Sequence, residues 1–466
     1  MFAGRKKELE ELEKLYKTRK FQMVIVYGRR RVGKSTLIAH FTRNKRSAFF
    51  TAIESDSKRN LEVFSHVLMK QRGVQGELAF SGWEQAFNEA AALARKPLIL
   101  VIDEYPYLAQ AERSISSILQ RYCDTVFRNL PIMIILSGSS MSFMENQVLG
   151  YQSPIYGRRT AQLKIEPLDY RDSAVFVPRY DLVTKALVYG ISGGIPKYLE
   201  LFDDSLTLKQ NIIRLFLSPA GYLYEEPSNL LKQELREPVK YNLIIEAVAK
   251  GSSRLNEIAT RTGLETSAVS NYISSLISLG IMRKETAVTE EKNRRKTIYR
   301  LADTMFVFWY RYIMGNEFSI RSGDAESLYD EEIKPDLNRF MGNIFEKMCA
   351  DYLTNENTGK TGSLPFRIRQ MGRWWGTNPI TKSEEEIDII GINEKSSSAL
   401  FCECKFRDSP VDSQILSSLL EKSRQWPDYR HKYFMLFSKS GFTRGMEAAM
   451  RKTENVRHLD LRDMYS

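Results

Sequence analysis

Apolar runs of strand length alternate with segments of helical spacing over the first third of the chain. Four of these runs are QMVIVYG, SAFFTAI, PLILVID and PIMIILSG. Strands separated by helices are typical of a parallel sheet that is covered by helices on both faces. From about residue 160 to residue 236 the spacing becomes mostly helical and is interrupted by ISGGIPKYL. The pattern therefore predicts an α/β domain followed by a helical region.

A different pattern, over residues 238–302, predicts three helices and a hairpin. Gly251 and Gly263 punctuate the helical segments YNLIIEAVAKG, RLNEIATRTGL and ETSAVSNYISSLISLGI, and the basic hairpin candidate MRKETAVTEEKNRRKTIYRL follows. Beyond residue 303 the chain returns to mixed helix and strand. The predicted domains are residues 1–160, 161–236, 237–302 and 303–466.

The segment ALFCECKF places charged and apolar side chains in alternation. Successive side chains on a strand point to opposite faces, so Glu403 and Lys405 share one face with Phe401. The other face is expected to pack on a core and carries Leu400, Cys402, Cys404 and Phe406. A carboxylate and an ammonium on one face form either an ordinary ion pair or half of a metal-dependent catalytic site.

Composition narrows the class of protein. The 466 residues, 43% of them hydrophobic, predict a globular protein of two to four domains. The net charge of +11 favours a polyanionic partner. Four cysteines fit a reducing compartment, and no apolar stretch is long enough to span a bilayer. We therefore expect a cytoplasmic protein with no membrane partner.

A phosphate-binding loop is predicted where VIVYGRRRVGKSTL joins an apolar strand to a helix. Its glycines allow backbone N–H groups to surround a β-phosphate, Lys34 reaches the β- and γ-phosphate oxygens, and Ser35 can bind Mg²⁺. The residues of the loop predicted to bind the nucleotide are Gly28, Arg29, Arg30, Arg31, Val32, Gly33, Lys34, Ser35 and Thr36.

Three further segments supply the rest of a nucleotide site. A buried strand ends in Asp103, expected to hold Mg²⁺ through water, and in Glu104, expected to orient and deprotonate the attacking water. The next strand ends in SGSS, which places Ser139 or Ser140 as a sensor of the γ-phosphate. Arg158 and Arg159 follow, either as phosphate sensors or as ordinary solvated or ion-paired arginines.

The segments GRRRVGKSTL, IDEYPYL, SGSS, YGRRT and GGIPKYL, in this order, resemble the archaeal-type ATPases, P-loop proteins of the signalling (STAND) branch related to AAA+. The resemblance covers roughly residues 1–236. It implies ATP and Mg²⁺ as ligands and slow, switch-like hydrolysis. It also implies that Gly193, Gly194 and Pro196 lie in a helical lid near the nucleotide.

The unit at residues 237–302 resembles a winged helix-turn-helix. Four polar positions of its third helix, expected to contact DNA phosphates or base edges, are Thr266, Ser267, Ser270 and Asn271. The wing would carry Lys292, Arg294, Arg295 and Lys296. The third helix has neither arginine nor lysine, and winged helices also serve as protein-contact modules, so both roles are kept open.

Four charged residues of the last domain suit phosphodiester hydrolysis. Asp388 and Glu403 would bind Mg²⁺, Lys405 would stabilise developing charge or position the water, and Glu346 would complete or orient the ligand set. Asp388, Glu403 and Lys405 resemble the core of the PD-(D/E)xK nuclease fold, although Ile387 replaces the preceding proline. The alternative is a nuclease-like domain that keeps these residues as a buried salt-bridge network.

Together these patterns predict an α/β protein with a P-loop NTPase sheet, a helical lid, a winged helix and a restriction-endonuclease-like C-terminal domain. Its predicted function is an ATPase switch coupled to DNA binding and to Mg²⁺-dependent cleavage. The protein is also a candidate homo-oligomer, in which another protomer's arginine completes the nucleotide site. The alternatives are a nucleotide-dependent signalling scaffold and a DNA-binding regulator without cleavage.

Overall fold

The computed structural model describes residues 2–74, 79–289, 297–358 and 364–466. The chain divides into two compact units. Unit 1 consists of Met1–Leu168 and Ile195–Tyr198, and unit 2 consists of Asp169–Gly194 and Leu199–Ser466.

The strands and helices are numbered in chain order. The strands are β1 (Gln22–Tyr27), β2 (Ser47–Thr51), β3 (Leu98–Asp103), β4 (Ile132–Gly138), β5 (Ala161–Lys164), β6 (Met282–Glu285), β7 (Ile298–Leu301), β8 (Gln370–Thr377), β9 (Glu384–Asn393), β10 (Ser398–Lys405), β11 (His431–Ser438) and β12 (Val456–Asp460). The helices up to residue 216 are α1 (Lys6–Lys17), α2 (Lys34–Thr42), α3 (Ser57–Arg72), α4 (Trp83–Leu93), α5 (Tyr105–Ala111), α6 (Ile115–Thr125), α7 (Met141–Phe143), α8 (Tyr170–Ala174), α9 (Leu182–Ser192), α10 (Pro196–Leu199) and α11 (Leu208–Phe216). The later helices are α12 (Glu226–Glu234), α13 (Pro238–Ala249), α14 (Leu255–Thr262), α15 (Thr266–Ser278), α16 (Thr304–Tyr312), α17 (Glu317–Arg321), α18 (Ala325–Leu328), α19 (Lys334–Thr358), α20 (Ser413–Lys422), α21 (Arg444–Arg451) and α22 (Leu461–Tyr465).

Unit 1 is built on a five-stranded parallel sheet with the order β2-β3-β4-β1-β5. Strands β1, β3 and β4 are buried at every residue, so both faces of the sheet are covered, and the prediction of a parallel α/β sheet is confirmed. The carboxyl ends of parallel strands meet at one edge, where the nucleotide residues lie. The fifth strand corrects the sequence analysis, which expected mostly helix from residue 160. Strand β5 has only four residues and alternates in exposure at the sheet edge, so it carries little apolar signal.

The predicted three helices and hairpin are present in unit 2. Helices α13, α14 and α15 precede an antiparallel pair in which Met282 lies opposite Leu301 and Glu285 lies opposite Ile298. Gly263 ends α14 with a left-handed backbone, φ +68°. The predicted wing residues, Lys292, Arg294, Arg295 and Lys296, lie outside the described residues.

The last domain of unit 2 contains a mixed five-stranded sheet with the order β12-β11-β10-β9-β8. Strands β9 and β10 form the expected antiparallel hairpin, and β10 is parallel to β11. The prediction of one apolar face on β10 is too simple, because the strand is central and its other face is also buried. Phe401 is fully buried on that face and lies 6.2 Å from the Trp426 ring. The charged residues of the strand, Glu403 and Lys405, lie at its carboxyl end.

The last helix of unit 2, α22, is hydrogen-bonded to its first helix, α8. Tyr170 Oη and Arg171 Nε, on α8, each donate a 2.7 Å hydrogen bond to the carbonyl oxygen of Met464 on α22.

Among the described residues, no helix is both long and apolar enough to cross a membrane.

Candidate functional site

The phosphate loop of unit 1 lies between β1 and α2, and its two glycines are required by its shape. Gly33 caps α2 with a left-handed backbone, φ +89°, which favours glycine. At Gly28 a Cβ atom would lie 2.5 Å from the carbonyl oxygen of Ile165. A side chain at Gly28 would therefore push the loop away from the end of the neighbouring strand β5.

Lys34 is buried and folds over the loop. Its Nζ donates hydrogen bonds to the carbonyl oxygens of Gly28 at 2.9 Å and Arg29 at 3.0 Å. Bonds from an ammonium to phosphate are stronger than bonds to neutral carbonyl groups. A phosphate in the loop would therefore compete well for the ammonium donors.

Ser35 and Asp103 meet at the carboxyl edge of the sheet. Ser35 Oγ donates a 2.7 Å hydrogen bond to Asp103 Oδ2, and the aspartate is only 3% exposed. Its second oxygen, Oδ1, is buried and has no hydrogen-bond partner among the described residues. A hydroxyl group, a carboxylate and an unsatisfied buried oxygen suit Mg²⁺, which prefers oxygen ligands and retains several waters. The residues present therefore fit the expected ion.

Glu104 is held in place by the neighbouring strand. Its backbone is left-handed, φ +51°, and its carboxylate accepts hydrogen bonds from Ser139 Oγ at 2.5 Å and from the Ser139 backbone N–H at 3.2 Å. A non-glycine residue with positive φ is uncommon and is found at functional sites. The structure thus joins two predicted residues, the base and the sensor serine, in one contact.

Two residues from distant segments flank the loop. A Cβ atom on Gly33 would lie 3.7 Å from Pro196 Cγ, so the predicted proline is next to the loop. Arg5 Nη2 donates a 2.9 Å hydrogen bond to the carbonyl oxygen of Val32. Sequence reasoning missed Arg5. The signal that could have found it is the Gly-Arg pair that precedes α1.

The two arginines after the fourth strand have protein partners. Arg158 pairs with both carboxylate oxygens of Asp124, at 3.1 Å and 2.8 Å. Arg159 Nη1 lies 3.5 Å from the carbonyl oxygen of Leu149. These contacts match the alternative of ion-paired arginines for Arg158, and the phosphate-sensing role of both residues stays a prediction.

In unit 2, the structure brings Asp388, Glu403 and Lys405 together. Lys405 Nζ lies 2.5 Å from Glu403 Oε1 and 3.8 Å from Asp388 Oδ2. Asp388 Oδ2 also accepts a 2.8 Å hydrogen bond from the Cys404 N–H, just beyond the last residue pair of β9 and β10. Both carboxylates are nearly buried. Two strands of one hairpin therefore present the predicted cluster.

Burial sets the protonation of this cluster. It raises the pKa of Asp388 to about 6, with a further rise from Glu403 and opposition from Lys405. Burial alone would lower the pKa of Lys405, but Asp388 and Glu403 raise it above its ordinary value. Lys405 therefore carries its charge at neutral pH, which favours a role in charge stabilisation over one as a general base.

The predicted fourth member, Glu346, lies on α19 and interacts electrostatically with this cluster. Burial, and next the charge of Asp388, raise the pKa of Glu346 to about 7, against the nearby Arg373. Arg373 Nη1 lies 3.9 Å from Glu346 Oε2, and Arg373 Nη2 lies 2.8 Å from Glu386 Oε2. Glu346 is thus a carboxyl group that changes protonation near neutral pH.

Sequence reasoning missed Lys422 at this site. It is the last residue of α20, and its Nζ lies 3.8 Å from Glu403 Oε2 and donates a 2.9 Å hydrogen bond to the Glu386 carbonyl oxygen. No local motif marks this lysine, because it is brought to the site only by packing of the helix. In the parts of the chain that the structure describes, no three His, Cys, Asp or Glu side chains are arranged to hold a metal ion. Asp388 and Glu403 supply the oxygen ligands that a hard divalent ion prefers, with Lys405 beside them.

The exposed polar residues predicted on α15 and the tryptophans of β8 have different environments. Thr266, Ser267, Ser270 and Asn271 are all exposed. Trp374 is buried and packs edge-on at 5.6 Å against Trp426, so it belongs to the core of the C-terminal domain.

Two segments of the chain match known protein families. Residues 2–202 match a family described as an ATPase domain predominantly from Archaea, and residues 309–418 match a family of archaeal and bacterial proteins of unknown function. An uncharacterized protein of Methanocaldococcus jannaschii is 34% identical over 409 residues, 88% of each chain. The chain belongs to this family of archaeal-type ATPases. Residues 2–202 are an ATPase domain of this kind, which implies ATP binding and indicates ATP hydrolysis.

One further relative matches a short segment of the chain, and one solved structure has a similar fold. An uncharacterized ATP-binding protein of the same organism is 52% identical over 46 residues, which are 10% of this chain and 78% of that protein. A Walker-type ATPase of Pyrococcus abyssi is similar in structure with a TM-score of 0.51 and 18% identity, over 66% of this chain and 96% of that one. The structural likeness shows a shared fold.

Proposed function

We propose that the chain is a Mg²⁺-dependent ATPase that works as a slow nucleotide switch. The observation that carries the proposal is the contact of Ser35 with Asp103 beside a buried carboxylate oxygen that lacks a partner among the described residues. Bound Mg²⁺ would neutralise charge on the β- and γ-phosphates. Ser35 and Asp103 would hold the ion, and Lys34 would donate to the phosphate oxygens.

The contacts of Glu104 suit a positioned general base. Ser139 donates one hydrogen bond to each of its carboxylate oxygens, and each oxygen keeps a second lone pair that can accept from water. The slow, switch-like rate is proposed from the resemblance to the archaeal-type ATPases.

The test combines nucleotide binding with turnover. Fluorescent ATP analogue binding and phosphate release are measured for the wild type, Lys34→Ala and Glu104→Gln. We expect Lys34→Ala to lose binding and Glu104→Gln to keep binding while losing turnover. Unchanged phosphate release by Glu104→Gln would refute the assigned role of Glu104.

We propose a second activity, metal-dependent phosphodiester hydrolysis, for the C-terminal domain. The contact of Lys405 with both Asp388 and Glu403 supports it. The two carboxylates would hold a divalent ion that polarises the phosphate and activates water. The charged Lys405 would stabilise the developing negative charge, and Lys422 would hold Glu403 in position.

The partner proposed for both activities is DNA. The net charge of +11 and the exposed polar face of α15 support DNA contact, and the nucleotide state would control how that contact is used. The alternative is a scaffold whose C-terminal domain recruits proteins. A steep loss of DNA affinity with rising salt concentration would distinguish DNA contact from the scaffold, because phosphate contacts release counterions.

The deciding experiment is cleavage of single- and double-stranded DNA and RNA with Mg²⁺ or Mn²⁺, with and without ATP. The wild type is compared with Asp388→Ala and Lys405→Ala, and Lys34→Ala tests the coupling. Cleavage that both C-terminal variants lose would support the nuclease. If no substrate is cut while ATP is hydrolysed, the scaffold is favoured.

A further inference from the structure

Unit 2 contains a cavity of about 390 Å³ whose lining includes none of the residues named in the two sites described above. Its walls come from the end of α13, the hairpin of β6 and β7, and the helices α16 and α19. The volume is within the range of pockets that bind small molecules, roughly 300–1,000 Å³. All of its lining residues belong to unit 2.

The lining of this cavity is strongly basic. Among the described residues, it includes five cationic side chains and no carboxylate: Arg283, Arg300, Arg311, Arg339 and Lys347. Four of these cations have an acidic partner that does not line the cavity, and Arg283 and Arg300 share one. The pairs are Arg283 with Glu285 at 2.5 Å, Arg300 with Glu285 at 3.3 Å, Arg311 with Asp336 at 2.5 Å and Lys347 with Asp351 at 2.6 Å. The cavity therefore presents positive charge that its surroundings only partly neutralise.

Arg300 shows that the cations crowd one another. Burial, and then Arg373 outside the lining and Arg283 within it, lower the pKa of Arg300 against the opposing charges of Glu285 and Glu346. Its Nε lies 3.3 Å from Glu285 Oε2 but makes no hydrogen bond among the described residues, and buried Thr304 Oγ1 likewise has no hydrogen-bond partner there. An anion in the cavity would relieve the repulsion and accept from these donors.

Apolar and aromatic side chains form another part of the wall, beside the polar Ser252, Ser253 and Asn343. Tyr299 and Phe340 line the cavity, together with Leu301, Val307 and Ile344. Apolar and aromatic side chains in one cavity with guanidinium groups match a ligand with a flat ring and a phosphate. We propose that the cavity binds a phosphorylated nucleoside, either free or at the end of a nucleic-acid strand. This site requires neither ATP hydrolysis nor strand cleavage.

The test measures binding in the full chain with Lys34→Ala as background and with EDTA present, so that neither the phosphate loop nor cleavage governs the result. The probes are radiolabelled AMP and a short fluorescent DNA strand, with and without a 5′-phosphate. Arg283→Ala and Arg339→Ala are compared with Lys284→Ala. Lys284 is exposed and adjacent to Arg283 on β6, so its side chain points to the opposite strand face.

We expect the Kd of the bound probe to rise about tenfold or more in Arg283→Ala and Arg339→Ala, and to change less than about twofold in Lys284→Ala. Binding of AMP would identify a free nucleotide as the source, and binding only of the phosphorylated strand would identify a strand end. Absence of binding by every probe, or an equal loss in Lys284→Ala, would overturn the proposal. Arg339 is exposed, so its variant is expected to fold, which thermal melting checks.

Discussion

Replacing Glu346 by glutamine is expected to make unit 2 more stable at alkaline pH. The carboxyl group has a pKa of about 7 in the folded protein against an ordinary value of 4.5, because it is buried and near Asp388. The native state therefore holds the proton more tightly than the unfolded chain does. Stability is lost as pH rises from about 4.5 to about 7 and stays level above that range.

The size of the effect follows from the difference of about 2.5 pKa units, which corresponds to about 3 kcal/mol of unfolding free energy. The side chain is only 20% exposed, so solvent screening reduces this value little. Glutamine has nearly the same shape and does not titrate. Between about pH 5.5 and about pH 8.5, the unfolding free energy of Glu346→Gln should gain about 2 kcal/mol relative to the wild type.

Urea unfolding, followed by tryptophan fluorescence in EDTA across this pH range, measures the difference. Trp374 and Trp426 lie in the C-terminal domain and report on it. Glu454→Gln, at an exposed position of the same unit, is the matched control. A difference between Glu346→Gln and the wild type that does not change with pH would refute the raised pKa. Destabilisation that grows with pH would show that the pairing with Arg373 outweighs burial.

Three further outcomes are expected. Glu104→Gln should bind an ATP analogue with unchanged affinity and release phosphate about 100-fold more slowly, because it lacks the base; equal turnover in a phosphate-release assay would contradict this. Gly28→Ala should lose ATP-analogue binding by calorimetry, since its Cβ would lie 2.5 Å from the Ile165 carbonyl oxygen. Gly82→Ala, with open space around its Cβ and an extended backbone, should bind normally. The Mn²⁺ affinity of the proposed C-terminal site, measured by titration calorimetry, should fall about tenfold between about pH 7.5 and about pH 5 as Asp388 is protonated. The same measurement on Asp388→Asn should show no such pH dependence.

The sequence predicts those parts of the molecule whose chemistry is local. The phosphate loop, the strand that ends in Asp103 and Glu104, and the hairpin that carries Asp388 and Glu403 all follow from short runs of residues. Each of these runs is a buried apolar strand that ends in polar residues. The residues that mark the strand in the sequence are therefore adjacent to the residues of the functional site. The structure contains the parallel sheet and the antiparallel hairpin that these runs predict.

Contacts between distant segments were not predictable in the same way. Arg5 reaches the Val32 carbonyl oxygen over a separation of 27 residues, and Lys422 reaches the Glu386 carbonyl oxygen over 36. Strand β5 was missed because edge position and short length remove the apolar run that marks a strand. In each case tertiary packing, and not local propensity, determines the structure.

The hydrogen bonds from α8 to the carbonyl oxygen of Met464 constrain the order in which the parts of the chain can fold during synthesis. They join residues separated by 294 and 293 positions, so α8 leaves the ribosome long before its partner exists. Residues 1–168 can collapse while translation continues, since domains fold as units and N-terminal ones fold first. Unit 2 can complete its packing only after nearly the whole chain has been synthesised. During that interval the apolar surface of α8 and α9 would be open to chaperones, and translation speed over the last third of the chain would influence the yield of folded protein.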